Sequence, residues 1–74
     1  MSEGYAVILV PSTSYAIQIE RLLQESGILC KLIPVPRHLS SDCGVCVRIE
    51  RVNAGRVLAA IREAGVNIEA LYEI

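Results

Sequence analysis

Apolar residues recur along the chain with two different spacings, and the alternation between them lays out the elements. Residues 5–10, YAVILV, form an unbroken apolar run, β-branched at Val7, Ile8 and Val10. Such a run predicts a central strand covered on both faces. Pro11 ends it, and Ser12 or Thr13 is placed to cap a helix by accepting from the first free N–H groups. The segment YAIQIERLLQESG then puts Ala16, Ile19, Leu22 and Leu23 on one stripe, with Gln18, Glu20, Arg21 and Gln24 largely elsewhere. That is helical spacing, and Gly27 is suited to end it.

Residues 28–35 predict a second strand. Pro34 and Pro36 mark its end as an edge or exit, because proline has no N–H for a ladder. Residues 36–44 read as a loop. From residue 45 to 51 the pattern alternates, with Val45, Val47 and Ile49 on one face and Cys46, Arg48 and Glu50 on the other, a strand with one buried face. Asn53 reads as an N-cap, and AGRVLAAIREAG places Val57, Leu58 and Ile61 on one stripe before Gly65. Residues 67–74 make a last strand, with Ile68, Ala70, Tyr72 and Ile74 on one face.

The order is β-α-β-β-α-β, and ESGILCKLI and EAGVNIEAL look like a weak internal duplication. Two such halves predict an α+β, ferredoxin-like two-layer sandwich: a four-stranded antiparallel sheet with two helices on one face and strands one and three central. The other sheet face would carry Cys46, Arg48 and Glu50 beside outward apolar residues of strand one. Two readings of that face stand: a half-exposed sheet with scattered apolar residues, or a surface covered in a homodimer.

Composition sharpens this picture. With 74 residues the chain is expected to form a single domain, 1–74, and such a domain buries only roughly 60% of its unfolded surface. Its 53% apolar content compensates, and with three Tyr and no Phe or Trp the core must be aliphatic. The formal net charge of −1 gives no bulk electrostatic support for nucleic-acid binding. The longest apolar run is far short of the ~20 residues that span a bilayer, and MSEG shows no basic n-region, so a cytosolic protein without a membrane partner is expected.

The candidate chemistry lies in PVPRHLSSDCGVC, residues 34–46. Three cysteines in a short cytosolic chain point to a catalytic, redox or metal-binding role more than to a structural disulfide. Cys43 follows a polar stretch in which burial is not expected. Arg37, His38, the Ser40 and Ser41 hydroxyls and the N–H groups near Gly44 could favour its thiolate, while Asp42 opposes it. Gly44 would let the backbone approach whatever Cys43 holds.

Cys43 and Cys46 form a C-x-x-C pair, but this one opens a strand. Residues i and i+3 of a strand point to opposite faces, so bridging them needs a turn at Gly44-Val45. Cys46 is thus either a resolving thiol or a core residue, and Cys30, among Ile28, Leu29 and Leu32, reads as a small buried hydrophobe. A closed zinc site wants four ligands, and with no second C-x-x-C neither a metal nor another cofactor is expected.

This chain resembles a family of small bacterial domains described as selenium/sulfur carrier-like proteins. The resemblance runs from VILVPSTSYA through LLQESGILCKLIPVPRHLSSDCG to IREAGVNIEALYEI. At its centre is the family's Pro-x-Pro-Arg followed by Ser-Ser-x-Cys-Gly, matched by Pro34, Pro36, Arg37, Ser40, Ser41, Cys43 and Gly44. The resemblance implies that Cys43 is the carrier thiol, holding a persulfide or its selenium equivalent. Cys46 stands where an apolar residue is expected in many relatives.

Three functions follow. In the first, Cys43 accepts sulfur or selenium from a donor such as a cysteine desulfurase and passes it to an acceptor protein, with Arg37, Ser40, Ser41 and the Gly44 N–H stabilising the outer atom. The second is a thiol–disulfide module of Cys43 and Cys46. The third is a non-catalytic module that binds a small ligand at the Arg37 loop. No paired carboxylates, phosphate loop or Cys/His/Asp triad favours a turnover enzyme.

Overall fold

A computed structural model describes residues 4–39 and 43–74. Its elements are β1 (Tyr5–Leu9), α1 (Thr13–Glu25), β2 (Cys30–Pro34), β3 (Val45–Glu50), a short 3-10 turn (Arg51–Asn53), α2 (Ala54–Ala64) and β4 (Ala70–Glu73). The sheet order is β2-β3-β1-β4, every pairing is antiparallel, and both helices pack on one face. This is the expected ferredoxin-like sandwich with β1 and β3 central.

The YAVILV run explains why β1 is central. Ala6 through Val10 are all buried, but in two separate layers. Ala6, Ile8 and Val10 join Ala16, Ile19 and Leu23 of α1, Val47 and Ile49 of β3, and Val57 and Ile61 of α2 in the main core. Val7 and Leu9 point the other way and pack with Cys46 beneath Ile33, Val35 and Leu39. Residues just after β2 thus fold back over the outer face. The apolar residues that raised the question of a dimer are covered by their own chain at this end of the sheet.

Both helices end alike, as the repeated Gly-Ile and Gly-Val suggest. After α1 the Ile28 N–H donates to the Leu23 carbonyl at 2.8 Å and the Gly27 N–H to that of Gln24 at 3.1 Å. After α2, Val66 donates to Ile61 at 3.2 Å and Gly65 to Arg62 at 3.1 Å. Gly27 and Gly65 lie at φ 73° and 72°, the left-handed region that a Cβ disfavours. Open space surrounds a Cβ built on Gly65, so Gly65→Ala tests backbone strain alone. It is expected to lower stability by about 1 kcal/mol. Gly55→Ala, inside α2 and equally unobstructed, should instead raise stability by about 0.5 kcal/mol, both read by urea denaturation.

Two boundaries move for identifiable reasons. The second strand starts at Cys30 instead of residue 28, because Ile28 is spent on the cap of α1 and Leu29 is 75% exposed. The last strand starts at Ala70 instead of residue 67. Its pairing with Leu9 and Val7 sends Ala70 and Tyr72 outward, and Leu71 packs toward the helices. Ser12 and Asn53 do occupy the N-cap positions of α1 and α2, but neither side chain makes the expected capping hydrogen bond.

Candidate thiol site at the start of α1

Cys43 is not the exposed loop thiol that its polar neighbours suggest. It is 5% exposed and belongs to the main core, on the helix side of the sheet. Its Sγ lies 3.5 Å from Oγ1 of Thr13, a hydrogen bond in which either atom can donate. Residue 43 lies just before β3, in a bend, yet in sequence it is in step with Val45, Val47 and Ile49, and its side chain lies with theirs on the helix side. That signal was present in the alternation and outweighs the polarity of Ser-Ser-Asp.

Thr13 is the residue that sequence reasoning missed as part of the site, having been assigned only a capping role. It is the first residue of α1, so Cys43 Sγ sits at the end of the helix where backbone N–H groups point outward. The first turn of α1 carries no acidic residue, and the Ser12 side chain makes no capping hydrogen bond. A negative charge on sulfur there meets the positive end of the helix dipole. No local pattern links residues 13 and 43; only the β1–β3 pairing, which sets Leu9 opposite Cys46, brings the start of α1 to the start of β3.

The other candidates are distributed differently. Cys46 is fully buried on the outer face, and its thiol donates to the Pro34 carbonyl across 3.9 Å. Burial first, and then the neighbouring Cys43, push its thiol above the ordinary range. The two cysteines of the C-x-x-C pack into layers on opposite sides of the sheet, and none of the three cysteines is in a disulfide. This is the arrangement expected of i and i+3 along a strand, and it gives Cys46 a packing role.

Arg37 and His38 are exposed in a turn closed by the Leu39 N–H on the Pro36 carbonyl at 3.0 Å. Leu39 anchors that turn on the outer layer, whereas Cys43 packs on the helix side of the sheet. Ser40 and Ser41, with Asp42, lie outside the described residues. Gly44 is exposed, and among the described residues nothing lies within 4 Å of a Cβ built on it. Cys30 is half-buried instead of buried; its thiol donates to the Glu20 carbonyl at 3.8 Å and is raised by burial first and then by the Glu20 charge. Among the described residues no three His, Cys, Asp or Glu converge, and no helix is long and apolar enough to cross a membrane.

The raised Cys46 thiol has a consequence for stability. Its folded-state value exceeds its unfolded one, so its stabilising contribution is intact below the ordinary thiol value of about 8.5 and is lost as pH rises through the folded value. Cys46→Ala should therefore cost most near neutrality, and the gap between variant and wild type should narrow above pH ~9. Urea midpoints measured across that range check this.

The fold and the Cys43–Thr13 contact define a small two-layer α+β protein with an enclosed thiol at the start of a helix. The chain belongs to the family described as Putative Se/S carrier protein-like, whose model matches residues 5–73, nearly the whole of it. No curated protein and no solved structure gives a significant match.

Proposed function

We propose that the protein carries a sulfane sulfur, or its selenium equivalent, on Cys43. Membership of the carrier-like family supports the general role. The observation that carries the assignment to this residue is the 3.5 Å approach of its Sγ to Thr13 Oγ1 at the start of α1.

The loading step balances without an added oxidant. The Cys43 thiolate attacks the outer sulfur of a donor persulfide, a new S–S bond forms at Cys43, the donor's S–S bond breaks, and its electron pair leaves with the inner sulfur as a thiolate. Transfer to an acceptor thiolate repeats the exchange in the opposite sense. The Thr13 hydroxyl donates to whichever sulfur bears the charge, and the helix end offsets that charge. A cysteine desulfurase in its persulfide form is a donor of the right chemistry. Enclosure fits carriage: a buried sulfane sulfur is shielded from small reductants.

The test is incubation of the reduced protein with a cysteine desulfurase and cysteine, followed by intact mass. A gain of one sulfur atom that dithiothreitol removes supports the reading. A mass unchanged, with the donor shown to be charged, overturns it.

A further inference from the structure

The outer face of the sheet holds a feature that the thiol site does not use. The strand register places Lys31 of β2 directly opposite Arg48 of β3, and both side chains point to the outer face, as Ile33 and Cys46 do two pairs further along. Like charges directly opposite each other across a ladder oppose folding. Neither of these two makes an ion pair among the described residues. Arg48 is held in place by Tyr5, with its guanidinium carbon 4.3 Å from the ring centroid. Tyr5 is 41% exposed and Leu29 75% exposed, and with Lys31, Arg48 and Glu50 they help line an open cavity of about 260 Å³.

We infer that this cavity binds a small anion that carries a flat ring, of the nucleoside monophosphate class. Two unpaired cations side by side supply the charge for one phosphate. The guanidinium, fixed on one side by Tyr5, leaves a planar surface against which a base can stack, with Leu29 as an apolar neighbour. Glu50 lies two residues from Arg48 on the same face and repels an anion, so the phosphate belongs on the Lys31 side. The small patch and the chain's net charge of −1 suit a single nucleotide better than a polynucleotide strand.

The experiment titrates the full-length protein with AMP, adenosine and inorganic phosphate separately, following backbone amide shifts by NMR. AMP should give saturable shifts centred on residues 5, 29–31 and 48–50, weaker at high salt. Adenosine and phosphate should each bind at least about tenfold more weakly, as should AMP to Arg48→Gln. Tyr5→Leu should weaken AMP and leave phosphate unchanged. Dispersed spectra of both variants show that the fold is kept. The proposal is overturned if AMP gives no saturable shift, if phosphate alone binds as well as AMP, if the shifts map elsewhere, or if the same face is instead closed by a concentration-dependent dimer.

Discussion

Ile8→Ala is expected to remove about 2–5 kcal/mol of folding free energy. Ile8 is fully buried on the central strand, paired with Val47 of β3 and Leu71 of β4, and belongs to the core beneath both helices. A close-packed site held by two neighbouring strands cannot collapse fully around the lost methylenes, so a cavity cost adds to the lost transfer energy. The loss is large against the total. At roughly 0.05–0.15 kcal/mol per residue, a chain of 74 residues has about 4–11 kcal/mol in all. Part of the population should unfold at physiological temperature. Leu29→Ala, at a site 75% exposed, should stay within about 0.5 kcal/mol of wild type. Equilibrium urea denaturation separates the two; equal midpoints would mean that β1 is not the centre of the core.

The other large effect concerns the thiols. Cys43→Ser should lose sulfur loading completely, because a serine hydroxyl cannot form the persulfide. Cys30→Ser and Cys46→Ala should load to the wild-type extent. Cys30 is held by the Glu20 carbonyl and raised by burial, and Cys46 is enclosed in the outer layer away from α1. A thiolate is the nucleophile, and a thiol pushed upward is a poor source of it at neutral pH. Thr13→Val should keep the stoichiometry while slowing loading, and Thr13→Ser should restore the rate, since the hydroxyl and not the methyl meets Sγ. Loading measured by mass against time on each variant distinguishes these. Loading that survives in Cys43→Ser and disappears in Cys46→Ala would move the site to the outer layer.

Much of the fold could be read from residue order. The unbroken apolar run of β1, the stripes through Ala16, Ile19 and Leu23 and through Val57 and Ile61, and the alternation of β3 each name an element and its buried face. The Gly27 and Gly65 stops name the same cap twice, because one geometry needs the left-handed backbone both times. The site was less legible. The polarity of its neighbours points Cys43 to solvent, whereas its step with Val45 and Val47 matches the core side on which it lies. Leu39, a single apolar residue between His38 and Ser40, was the sign that the turn is anchored on the outer layer and carries Arg37 with it. The Thr13–Cys43 contact spans thirty positions and comes into being only through strand pairing, so no local pattern contains it.

The most direct measurement is to load the wild-type protein with sulfur from a cysteine desulfurase, alkylate it without reduction, and locate the extra sulfur by fragment mass spectrometry. The account predicts one added sulfur atom, on the peptide that contains Cys43 and removed by dithiothreitol. An added sulfur on Cys30 or Cys46, with Cys43 alkylated as a plain thiol, would contradict it.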